Sequence, residues 1–187
     1  MGRDKALLDA GGRPLIQRVV ERLAPFFPNV AVVLAGPEPH LSVPGVAVIS
    51  DLHPGHGPIS GIHAALSWAP TGWVFVMACD MPLVAPRLLQ YMALLRPGHE
   101  AVAPEVRGYL EPLHAFYRKT LLGTFEDCIR RGAYGLQPLL QACRLRRVRA
   151  AEIARFDPEH RSFTNVNTPK EWDAVRQAQG WDDAANS

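Results

Sequence analysis

The chain has 187 residues, 48% of them apolar and 20% charged, with a net charge of +2. At roughly 100–200 residues per domain this predicts one domain with one core, and the composition excludes wholesale disorder. So small a charge, despite a pI near 8.6, argues against a dedicated nucleic-acid partner, and no apolar run reaches the roughly 18 residues of a membrane-spanning helix.

The start, Met1-Gly2-Arg3-Asp4-Lys5, is charged, and Ala6-Leu7-Leu8 is too short for the apolar core of a signal peptide. Cys79, Cys128 and Cys143 are widely spaced and form no C-x-x-C pair, so neither a disulfide framework nor a zinc site is expected. A reducing cytoplasm is the simplest location.

Pro14 sits where the first turn of a helix favours proline, and Ile16, Val19, Val20 and Leu23 share one face after it. Residues 30–35 form an apolar run ended by Gly36-Pro37, and residues 46–50 form a second run that ends at Asp51. Ile62, Ala65, Leu66 and Ala69 mark the next helix. Residues 73–79 form a third run, ending at Asp80, and Leu88, Met92 and Leu95 follow Pro86 at helical spacing. Continuous apolar runs indicate strands covered on both faces. The alternation predicts an α/β fold: a three-layer, doubly wound sandwich with a mostly parallel, Rossmann-like sheet.

The second half is less regular. Residues 101–103 and 109–111 read as short strands, 121–129 as a helix and 145–148 as a half-exposed strand. Thr168-Pro169-Lys170-Glu171 is a capping box that should open a helix running to about Gln179. The polar tail over 180–187 should fray.

Ligands of open α/β sheets bind beyond the carboxyl ends of the strands, where both Asp51 and Asp80 fall. Each either caps a turn or offers hard oxygens to Mg²⁺ and phosphates. For Asp80 the second reading is favoured, because Asp-Met-Pro follows a buried strand and Pro82 fixes the turn. Residues 54–61, Pro-Gly-His-Gly-Pro-Ile-Ser-Gly, let backbone approach a ligand and lead into a helix N-terminus. On spacing alone Lys5 is an ordinary terminal charge. His53, His56 and His63 lack the helical spacing of a metal site. His114 is core or substrate contact, and Cys79 is core. Arg144, Arg146, Arg147 and Arg149 read as a solvated edge that blocks strand pairing.

These pieces, in this order, resemble the molybdenum cofactor guanylyltransferases, nucleotidyltransferases with a Rossmann-like fold. The matching residues run from Met1-Gly2-Arg3-Asp4-Lys5 and Gly12-Arg13-Pro14-Leu15 to Asp51 with Gly57-Pro58-Ile59-Ser60-Gly61. They continue through Cys79-Asp80-Met81-Pro82 and Glu111-Pro112-Leu113-His114 to Asn165-Val166-Asn167-Thr168-Pro169. The resemblance implies transfer of GMP from GTP to the terminal phosphate of Mo-molybdopterin, with release of pyrophosphate, to form molybdopterin guanine dinucleotide. It implies that Lys5 and Asp80 are catalytic. Lys5 would contact nucleotide phosphates, Asp80 would hold Mg²⁺, and Asp51 would lie in the nucleotide site. It also implies that Gly57, Pro58, Gly61 and Glu111 line the cleft, with Asn165 and Asn167 towards the pterin. Other molybdenum cofactor proteins and apo-molybdoenzymes are the partners it implies, with no nucleic acid and no membrane.

The match starts at the final Met-Gly of the family's glycine-rich signature. The chain is therefore read as a single nucleotidyltransferase domain, N-terminally incomplete, with its first strand missing. The alternatives are cytidylyl or other nucleotidyl transfer to a phosphorylated metabolite, and a non-catalytic nucleotide- or pterin-binding accessory protein.

Overall fold

The computed structural model describes residues 14–36 and 43–178. Helix α1 (Leu15–Leu23) leads to strands β1 (Ala31–Leu34) and β2 (Ala47–Ser50); α2 (Pro58–Trp68), β3 (Trp73–Met77) and α3 (Pro86–Leu94) follow. Strands β4 (Ala101–Val106), β5 (Tyr109–Leu110) and β6 (His114–Arg118) then run on without an intervening helix. Helices α4 (Leu122–Arg130) and α5 (Leu136–Ala142), strand β7 (Leu145–Val148), and helices α6 (Ala150–Ile153) and α7 (Pro169–Ala178) complete the chain.

The layers follow from side-chain alternation along the strands. Val74 and Val76 of β3, Ala101 and Ala103 of β4, and Ala115 and Tyr117 of β6 face a core closed by Ile59, Ile62 and Leu66 of α2, Phe125 of α4 and Leu140 of α5. Their neighbours Phe75, Val102 and Phe116 face the opposite core, closed by Leu88 and Met92 of α3 and Ile153 of α6. A period of two that buries both faces is what a sheet between two helical layers requires.

The α/β class and the early alternation of helix and strand are as expected. The sheet is more mixed than the mostly parallel one the apolar runs implied. β1 pairs with β2 in parallel, and β4 with β7; β3–β6, β6–β4 and β4–β5 are antiparallel. The cause is the β4-β5-β6 stretch, which returns by turns instead of helical crossovers. Arg107 (φ 51°) and Gly108 (φ 83°) both adopt left-handed backbone between β4 and β5, the conformation that suits a two-residue hairpin turn.

Strand β6 and helices α5 and α6 were not expected from the sequence. Helix α2 begins at Pro58, so Pro58 and Gly61, read above as part of a loop, belong to its first turn. The arginine row is not simply solvated: Arg144 pairs with Glu100, Arg146 with Glu152 and Arg147 with Glu105. Helix α2 packs on β1, β2 and β3 as well as on α4, and so spans both sheets. No helix among the described residues is long and apolar enough to cross a membrane.

Candidate active site

Asp51 and Asp80 both end strands, and packing brings those ends together. The amide of Asp51 donates to the carbonyl of Leu34 at 2.8 Å, extending the β1–β2 ladder by one residue. Leu34 lies in the cluster formed by Ile16, Val20, Val32 and Val43, and Cys79, the residue before Asp80, packs half-buried against that cluster. The core role expected of Cys79 therefore also ties the end of β3 to the end of β1. One oxygen of Asp51 accepts the amide of His53 at 2.8 Å, the turn-capping role that the sequence offered as one of two readings. Asp80 sits in a turn closed by the amide of Met81 on the carbonyl of Ala78.

Gly57 precedes α2 with φ 76° and ψ −155°, a region essentially restricted to glycine. Pro58 takes the first helical position, where no backbone donor is needed. Gly61 lies one turn on, and a Cβ there would meet nothing within 4 Å. The face of α2 at Gly61 is thus open. Nearby, the buried His63 approaches Glu126 of α4 at 3.5 Å, and the His53 ring meets the His63 ring edge-on at 4.9 Å. His56 stacks on Tyr134 at 4.5 Å. No group of three or more His, Cys, Asp or Glu side chains that could hold a metal occurs among the described residues.

The Glu111-Pro112-Leu113 turn flanks the end of β3, since the Leu113 carbonyl accepts the amide of Ala78 at 2.9 Å. The hydroxyl of buried Tyr117 donates to the Pro112 carbonyl at 2.7 Å and holds the turn. Burial raises the Glu111 carboxyl above the usual carboxylate range. His114 is buried between the rings of Phe75 and Phe163. That burial pushes its imidazole down to about 4, with a smaller opposing pull from Asp157.

The Asn165-Val166-Asn167 segment arrives from the far end of the chain. The amide of Val166 donates to the carbonyl of Asp80 at 2.7 Å, and the Val166 side chain is buried against Leu15 and Trp172. The expected capping box of α7 is formed. Glu171 accepts the amides of Asn167 and Thr168 at 2.7 and 2.9 Å, and the Thr168 hydroxyl accepts the Glu171 amide at 3.2 Å. The structure therefore brings Asp51, Asp80, the Glu111 turn and Asn165–Asn167 to one end of the fold. Lys5 lies outside the described residues, as do Gln179 and the tail. The sequence reading missed Asp157 and Ser162, both buried polar residues shortly before the Asn165–Asn167 segment in the chain. The bond from Ala85 to Ser162 spans 77 residues, so no local pattern records it, whereas Asp157 accepts the nearby amides of Arg161 and Ser162.

A three-layer α/β sandwich with acidic strand ends and a glycine-entered helix at one end has the architecture of a nucleotidyltransferase. Residues 1–150 match the MobA-like NTP transferase domain, and the chain belongs to that family. It is 34% identical over 171 residues to a probable molybdenum cofactor guanylyltransferase of Pelotomaculum thermopropionicum, a match covering 91% of this chain and 83% of that one. It is 32% identical over 179 residues to a molybdenum cofactor guanylyltransferase of Syntrophotalea carbinolica, covering 95% and 85%. Among solved structures it resembles molybdopterin-guanine dinucleotide biosynthesis protein A from Archaeoglobus fulgidus, with TM-score 0.77 and 29% identity over 96% of this chain and 92% of that one. It shares its fold with 2-C-methyl-D-erythritol 4-phosphate cytidylyltransferase from Thermus thermophilus, with TM-score 0.68 and 16% identity over 94% of each chain.

Proposed function

We propose that this nucleotidyltransferase moves GMP from GTP to the terminal phosphate of Mo-molybdopterin, releasing pyrophosphate. The observation that carries the reading is the hydrogen bond from Val166 to Asp80. It sets a carboxylate that could hold a cation against nucleotide phosphates beside the Asn165–Asn167 segment, where an acceptor can be held. The names borne by the relatives point the same way.

In this reading an oxygen of the acceptor phosphate attacks the α-phosphorus of GTP. The bond from that phosphorus to the bridging oxygen breaks, and pyrophosphate leaves with the electron pair. The attacking oxygen is already anionic, so no strong base is needed, and catalysis rests on alignment and charge neutralisation. Lys5 supplies an ammonium to the nucleotide phosphates, and Asp51 stands on the nucleotide side. Gly57, Pro58 and Gly61 let the substrate approach the start of α2. Glu111 lines the cleft, and Asn165 and Asn167 contact the pterin side.

Nucleotidyltransferases of this family use a divalent metal; we assign Mg²⁺, held by Asp80. The donor chemistry fits: the Asp80 carboxylate offers hard oxygens, which suit an ion that relies on one or two carboxylates plus substrate phosphates. When bound it neutralises phosphate charge. The reaction is placed in the cytoplasm, upstream of an apo-molybdoenzyme that takes up the dinucleotide cofactor.

The test is pyrophosphate release from GTP or CTP, with and without Mo-molybdopterin. Release that needs both GTP and the pterin is the expected result. Preference for CTP would make the chain a cytidylyltransferase, and GTP binding without release would make it an accessory protein.

A further inference from the structure

Asp157 is a buried carboxylate, 6% exposed, that no step above uses. Its two oxygens accept the amides of Arg161 and Ser162 at 3.0 and 2.9 Å. A carboxylate is kept in such a place only when its lone pairs are satisfied, and bonds from amides to a charged acceptor are among the stronger ones. The pair orders the tight turn at 157–163, in which His160 takes a left-handed backbone (φ 54°).

The consequence lies at Ser162. Its side chain is fully buried, and its hydroxyl oxygen accepts the amide of Ala85, 77 residues away, at 3.0 Å. Four residues on, the amide of Val166 reaches the carbonyl of Asp80. Between these two bonds, Phe163 packs edge-on against His114 at 5.1 Å. Residues 80–85 and 162–166 are thus joined at both ends, as a ladder of two rungs. Asp80 stands at one rung, and Asp157 fixes the turn that presents the other.

We infer that Asp157 and Ser162 are positioning residues that set the acceptor-binding segment Asn165–Asn167 against Asp80. The inference rests on the guanylyl-transfer reading for its substrate, but the ladder can be tested separately. Neither residue touches the reacting atoms. Asp157→Asn replaces one accepting oxygen with an amide that faces another donor, and Ser162→Ala removes the acceptor of Ala85.

The experiment combines hydrogen exchange at the Val166 amide with steady-state kinetics of the full chain. In both variants the Val166 amide should exchange about tenfold faster. The KM for Mo-molybdopterin should rise about tenfold while the KM for GTP stays close to wild type, and the thermal midpoint should fall by a few degrees because each change leaves a buried donor unpaired. Unchanged exchange at Val166 would overturn the ladder. Parallel weakening of GTP and pterin would reduce both residues to general stabilisers, and so overturn the positioning role. If the wild type transfers no GMP while Val166 protection is still lost in both variants, the ladder stands and the guanylyl-transfer reading falls.

Discussion

The amide of Val166 donates to the carbonyl of Asp80 at 2.7 Å, and this bond makes one site from two distant parts of the chain. It uses the backbone of Asp80, so it survives changes of the side chain. Asp80→Ala should therefore abolish GMP transfer, lowering kcat by a factor of about 100 or more, as expected when the carboxylate proposed to hold the charge-neutralising metal is lost. The thermal midpoint should stay close to wild type. Near-normal turnover in this variant, with Mg²⁺ as the only metal, would remove Asp80 from the mechanism.

Gly57 and Gly61 should respond in opposite ways. At Gly61 a methyl group meets open space, and alanine is the better helix former, so Gly61→Ala should stabilise the fold by about 0.5–1 kcal/mol. If substrate approaches this face, the same variant should have a raised KM for GTP. At Gly57 the positive φ should make alanine cost about 1–3 kcal/mol. Chemical denaturation measures both changes, and an unstrained Gly57→Ala would contradict the backbone argument.

The capping box at Thr168 and Glu171 holds the Asn167 amide as well as the start of α7. Glu171→Ala should cost about 1 kcal/mol. It should also weaken Mo-molybdopterin binding more than GTP binding, because the freed amide belongs to the segment proposed to hold the acceptor. Calorimetry with each substrate separates the two effects.

Stability should fall with acid in a window set by His114. Its folded-state value of about 4 lies below the unfolded value of 6.5, so between these the unfolded chain binds the extra proton. That contribution is fully present above about pH 6.5 and is lost as pH falls towards about 4. A shift of this size predicts a loss of about 2 kcal/mol between about pH 7 and pH 5. Urea denaturation at both values, on wild type and His114→Phe, gives the check: the variant should lack this slope. Glu152, held down to about 2 chiefly by its hydrogen bond from Arg146, adds an acid loss only below the ordinary carboxylate range.

Much of the first half was legible because its signals are local. Apolar runs marked β1, β2 and β3, and Pro14 and Pro86 marked the starts of α1 and α3. Thr168 and Glu171 carried a capping box that forms as written. The second half was less legible because its order depends on distant partners. β6 is buried on both faces in antiparallel contact with β3 and β4, and nothing within His114–Arg118 records those neighbours. The arginines near β7 looked solvated because Glu100, Glu105 and Glu152 meet them only after folding.

The sequence by itself determined the α/β class and the acidic strand ends at Asp51 and Asp80. Those properties follow from periodicity and local backbone chemistry, which a short stretch of chain carries on its own. Only the tertiary structure decided that Asn165–Asn167 stands against Asp80 and that Ser162 bonds Ala85. Each of those facts is a contact between residues far apart in sequence, fixed by how helices close over the two faces of a sheet.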